Sequence, residues 1–137
     1  QAVIKTPVKD EYLEFFQNCS EKYMYMPICY SMDDVRKALS YTDINIVGVE
    51  AIAHSTDADL YAAENIRWMK EQGLYVWSNT ITLSNFERHI LCAGFDDNKA
   101  IIEGPEAAWG VLMDQGYNVL QTDWPAQMSA YRNQRFG

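Results

Sequence analysis

Short apolar runs of strand length alternate along this chain with longer segments whose apolar residues return every three or four positions. That pattern is written by repeated βα units around a parallel sheet, and it leaves few other architectures open. Residues 2–5 read as a short strand. In 10–18, Leu13 and Phe16 share one helical face while Glu11 and Glu14 lie elsewhere. Residues 22–30, KYMYMPICY, form a strand candidate broken by Pro27. Ser31 with Asp34 three residues on reads as a capping box, opening a helix with Val35, Ala38 and Leu39 as its buried stripe and ending near Tyr41. Residues 44–52, INIVGVEAI, are apolar at nearly every position except Asn45 and Glu50, as expected of a central strand covered on both faces.

The second half continues the rhythm. Thr56 and Asp57 are placed to cap a helix running to about Gln72, with Ala62, Ile66 and Met69 on one side and Gly73 as its left-handed stop. LYVWSNTI at 74–81 is the next strand. An irregular stretch at 82–98 carries Asn85, Gly94, Asp96 and Asp97 and is long for a βα connection. Pro105 opens another helix, with Trp109, Leu112 and Met113 inward and Gly116 at its end; 118–122 is the last strand, and Pro125 opens a terminal helix through Met128 and Tyr131.

With 137 residues, 48% of them hydrophobic, the chain can fill one core, so residues 1–137 read as a single domain. The longest apolar run falls far short of the roughly 20 residues that span a bilayer. A net charge of −8 without a basic cluster argues against nucleic acid. Three scattered cysteines, Cys19, Cys29 and Cys92, make neither a disulfide framework nor a C-x-x-C site; they read as idle thiols. Gln1 opens no segment of signal-peptide type. The reading is of a soluble chain, periplasmic or secreted if a signal peptide has been removed.

Two stretches carry more specific information: GLYVWSNTI at 73–81, and DDNKAIIEGPEAAWGVLMDQGYNVLQTDWP at 96–125. In order and spacing they resemble the last two βα units of glycerophosphodiester phosphodiesterases, where a V-W-x-N strand precedes one ending in Q-T-D-x-P. The resemblance implies the C-terminal half of a TIM-type (β/α)8 barrel, a fold that typically needs ~250 residues. It also implies a parent that hydrolyses glycerophosphodiesters to glycerol 3-phosphate and an alcohol, with calcium or magnesium. The family's H-R-G and E-x-D motifs, which bring the acid/base histidine and the metal carboxylates, have no counterpart here. The two histidines, His54 and His89, lie in no matching context. No catalytic residue and no metal ligand carries over, and this chain by itself implies no cofactor.

What carries over is the rim at the C-terminal ends of the strands. There Trp77, Asn79, Gln121, Thr122 and Asp123 would line the pocket for the glycerol moiety. Glu50 interrupts an apolar strand, and a buried carboxylate needs a partner or a metal; the other reading puts it at the strand's solvent end. His54, four residues on, is either a pocket imidazole or a solvated loop residue. Asp96 and Asp97 read as cap and helix-dipole partners or as cation ligands. The partner implied is a missing N-terminal half-barrel, or a second copy in a homodimer that covers the open sheet edge. The alternatives are a non-catalytic accessory or binding domain on the same scaffold, and an unrelated α/β enzyme with a site made of Glu50, His54 and Asp123.

Overall fold

A computed structural model describes residues 2–82 and 90–137. Asn85 and His89 of the irregular stretch lie outside the described residues. The elements follow the sequence rhythm: β1 Val3–Ile4, α1 Asp10–Asn18, β2 Met24–Tyr25, β3 Ile28–Cys29, α2 Met32–Leu39, β4 Gly48–Ala51, α3 Ala63–Glu71, β5 Tyr75–Asn79, α4 Asp97–Glu103, α5 Trp109–Gln115, β6 Val119–Gln121 and α6 Pro125–Phe136. Short 3-10 turns at Asp59–Tyr61 and Pro105–Ala107 precede α3 and α5.

Every strand pairing is parallel. β3, β4, β5 and β6 form a sheet in chain order, and β1 pairs with β2. Pro27 divides what would be one strand, because it has no N–H for the ladder. Single bridges Pro7 to Ile28 and Tyr25 to Ile46 join the two sheets across the break. Counting β2 and β3 as one, five staves lie side by side in the order in which the chain makes them.

The helices gather on one face. Cys29, Val49, Ala51 and Val76 point into a core shared with Met32 and Val35 of α2, Ile66 and Met69 of α3 and Leu112 of α5. Leu13 and Phe16 of α1 pack on Tyr25 and Ala38, and Trp109 of α5 packs with Ala100 of α4 and Tyr131 of α6. Consecutive parallel strands joined by crossovers of one hand put their helices on the same side of the sheet. Register puts Ile28, Glu50, Trp77 and Val119 in one row of the opposite face, with Asn79 and Gln121 in the next row toward the strand ends. Among the described residues, no helix is long and apolar enough to cross a membrane.

Local signals explain most boundaries. The Ser31 hydroxyl accepts from the Asp34 N–H, as the capping pattern requires, while the Asp34 carboxylate accepts from the Tyr30 N–H instead of closing the box on Ser31. Gly73 and Gly116 take positive φ where α3 and α5 stop. The start of α3 departs from expectation: Thr56 and Asp57 do not cap it, and its N-cap Ala62 has no side chain able to. The turn at Asp59–Tyr61 intervenes because it buries Leu60 and Tyr61 in the main core. Asp59 is the acid that acts there, and its carboxylate accepts the Met32 N–H at the head of α2 at 2.8 Å. The helix α4, which begins inside the 82–98 stretch, was not expected as a separate element.

Candidate functional site

On the face that the helices leave uncovered, four side chains close a ring. Lys5 follows β1 and sets its ammonium 2.9 Å from Glu50 Oε2 and 4.3 Å from the centre of the Trp77 ring. The Trp77 indole N–H donates to Asn79 Oδ1 at 2.8 Å, and the Asn79 amide donates in turn to Glu50 Oε1. Alternation along β5 puts Trp77 and Asn79 on the same side of the sheet, and register puts Glu50 beside Trp77. Three staves thus supply one constellation.

Glu50 is 5% exposed, which removes the solvent-end reading. Its Oε2 has no partner of hydrogen-bonding geometry among the described residues, although Lys5 lies at ion-pair distance. The short separation makes the Lys5 ammonium the compensating cation for this buried side chain. The Lys5 side chain remains 30% exposed, so it can offer donors outward while neutralising Glu50. One face of the Trp77 ring is therefore already occupied by a cation.

A second constellation fixes the upper rim. Asp97, at the start of α4, is 1% exposed and has no cation beside it among the described residues. Its Oδ1 accepts from the Thr80 hydroxyl at 2.6 Å, the Trp109 indole at 2.9 Å and the Thr122 hydroxyl at 2.9 Å; its Oδ2 accepts from the Asp123 N–H at 2.8 Å. The neutral donors ring the carboxylate and tie the ends of β5 and β6 to α4 and α5. Of the two adjacent acids, only Asp96 caps, accepting the Lys99 N–H at 2.9 Å. Neither reading of Asp97 anticipated its burial.

His54 sits in an exposed loop beyond β4. Its Nδ1 meets the Ile90 carbonyl at 2.6 Å, which requires the proton on Nδ1, and its ring stacks on Tyr30 at 6.1 Å. Gln121 is in register with Asn79 on the uncovered face, and Thr122 and Asp123 belong to the Asp97 knot. Among the described residues Glu50, His54 and Asp123 make no hydrogen bond with one another, so the structure does not bring that triad together.

A divalent metal finds no ligand set among the described residues. The Lys5 ammonium holds the place beside Glu50 that a cation would take, and N–H and O–H donors already engage each oxygen of Asp97. The two buried thiols are equally unsuited to chemistry. Burial pushes Cys29 well above its ordinary value, and burial with Asp96 and Asp97 nearby pushes Cys92 up to about 12.

Lys5 is the functional candidate that sequence reasoning missed. Its signal was complementary: a glutamate inside one apolar strand and a lysine just past another need one another if either is buried. A family model for a domain of unknown function matches residues 25–132. No curated protein and no solved structure is similar enough to match.

Proposed function

The chain belongs to the DUF4996 family, a domain of unknown function, and from that premise we propose that it is the C-terminal, closing part of a glycerophosphodiester phosphodiesterase-like (β/α)8 barrel. One observation carries the reading. Five parallel staves run in chain order with their helices on one face and a polar ring on the other. In a doubly wound sheet the helices would lie on both faces and the order would reverse.

The stave count also speaks to the partner. A barrel of this type has eight strands; five here leave three, whereas a second copy would bring the total to ten. An N-terminal segment of three βα units fits better than a homodimer. A groove of about 510 Å³ beside the outermost stave, β6, is lined by Tyr117, Val119, Leu120, Met128, Arg132 and Phe136 and suits an adjoining strand and helix.

In this reading the uncovered face becomes the inner wall of the barrel. Lys5 contributes positive charge toward the phosphodiester anion, Glu50 and Asn79 hold Lys5 and Trp77 in place, and Gln121 offers an amide to the glycerol hydroxyls. The N-terminal units would supply the histidines and the calcium or magnesium ligands, and hydrolysis to glycerol 3-phosphate belongs to the completed barrel. The test is to sequence the reading frame upstream of Gln1, express its whole product and assay release of glycerol 3-phosphate from glycerophosphodiesters with calcium or magnesium. Strand-like segments with H-R-G and E-x-D, and activity confined to the longer product, are expected. A start codon immediately upstream, or an inert longer product, would instead favour a non-catalytic accessory domain on this scaffold.

A further inference from the structure

The cleft at the upper rim, between the end of β6 and the head of α4, encloses about 350 Å³ and is lined by Thr82, Asp97, Asn98, Asp123 and Trp124. None of these belongs to the Lys5 ring. Asp97 is engaged by its four donors, and its effect is on the neighbouring backbone. It holds the Thr122 hydroxyl and the Asp123 N–H, and the Trp124 N–H donates to the Thr122 hydroxyl at 2.9 Å. The segment carrying Asp123 and Trp124 is therefore ordered before any ligand arrives, which lowers the entropic cost of binding.

The side chains this segment presents are uncommitted. Trp124 is 42% exposed, the side chains of Asp123 and Asn98 make no hydrogen bond among the described residues, and the buried Thr82 hydroxyl likewise has no partner there. An indole face, an acceptor-only carboxylate, an amide that both donates and accepts, and a hydroxyl together suit a ring whose C–H groups stack on the indole while adjacent hydroxyls donate to the carboxylate. Charge narrows the class. Among the described residues, Asp97 and Asp123 line the cleft without a cationic side chain, an arrangement that disfavours a phosphate or carboxylate ligand. A divalent cation wants six or more oxygens, and three donors already engage Asp97 Oδ1.

We propose that this rim cleft is a subsite for a neutral monosaccharide or cyclic polyol, stacked on Trp124 with vicinal hydroxyls donating to Asp123 and Asn98. The inference is independent of the phosphodiesterase reading, because the cleft and its ligand stand whether or not the barrel is completed. It is tested by titrating the 15N-labelled chain with methyl glucoside, methyl galactoside, methyl mannoside and myo-inositol while following the four indole N–H signals. One of the four should saturate in the millimolar range and shift the Trp124 indole. Binding should weaken at least about tenfold in Asp123→Asn and vanish in Trp124→Ala, with the remaining spectrum of each variant unchanged. The proposal is overturned if none of the four shifts that indole, if Asp123→Asn binds as well as the parent, or if calcium or glycerol 3-phosphate occupies the cleft more tightly than any of them.

Discussion

Glu50 and Asp97 are both buried carboxylates, and they are neutralised in opposite ways. Glu50 has one ammonium and one amide beside it, and the Lys5 side chain that carries the ammonium stays 30% exposed. Asp97 has no ammonium among the described residues; two hydroxyls, an indole and a backbone N–H surround it, drawn from the ends of β5 and β6 and from α5. The difference separates two jobs. Asp97 serves as mortar between elements, with both oxygens already accepting from the protein's own donors. The Glu50 ring is closed upon itself yet leaves Lys5 able to face something else, which is how a binding wall differs from a joint.

The largest expected effect comes from removing the mortar. Asp97→Ala removes the acceptor of the Trp109 indole, the Thr122 hydroxyl and the Asp123 N–H, while the Thr80 hydroxyl keeps the Gln121 carbonyl at 2.7 Å; it should cost about 3–5 kcal/mol in urea unfolding, because each unpaired buried donor carries its own desolvation penalty. A loss below about 1 kcal/mol would mean that water replaces the carboxylate and that the knot is not structural. Gly48→Ala should rank next. A Cβ there would lie 2.6 Å from the Tyr75 carbonyl oxygen and 2.9 Å from the Tyr75 Cβ, so β4 and β5 would have to part at the base of the ring. About 2–3 kcal/mol is expected, together with a change in Trp77 fluorescence.

The ring should respond asymmetrically. Lys5→Met leaves a charged Glu50 buried without its cation and should cost about 2 kcal/mol, whereas Glu50→Gln leaves a lysine that can rehydrate and should cost about 1 kcal/mol. Equal losses in thermal or urea unfolding would show that Lys5 is as enclosed as Glu50 and would erase the contrast with Asp97. A pH dependence reaches a size comparable to the ring substitutions only in alkaline solution. Burial, with Asp96 and Asp97 adding to it, raises the Cys92 thiol from 9.0 to about 12. The unfolded thiol therefore loses its proton first, and its contribution to stability is complete below pH 9. That contribution is lost between pH 9 and 12, at about 1.4 kcal/mol per pH unit. Asp97→Asn should narrow the window, since it removes one of the charges felt by the thiol; unfolding curves at pH 8 and pH 10.5 for both proteins measure it.

Much of the fold was legible because local chemistry and tertiary need agreed. Leu13 and Phe16 set the buried side of α1, Ser31 capped α2, Pro27 divided its strand, and Gly73 and Gly116 ended their helices. The start of α3 was not legible, since burying Leu60 and Tyr61 delayed a helix that Thr56 and Asp57 were placed to open. Asn79 and Glu50 were both singled out, but their bond crosses strands 29 residues apart and depends on a register that no single-strand pattern contains. Asp96 and Asp97 look alike in sequence; which of them caps and which turns inward was decided by Thr80, Trp109 and Thr122, gathered from three separate elements.

The proposed phosphodiesterase function depends on the uncovered face serving as one wall of a larger barrel's phosphodiester pocket. The most direct measurement is kcat/KM for glycerol 3-phosphate release by the full product of the reading frame that contains this chain, with lysine or methionine at position 5. A fall of at least about 100-fold in Lys5→Met, with the protein still folded at the assay temperature, is the predicted result. Turnover unchanged by that substitution would contradict it.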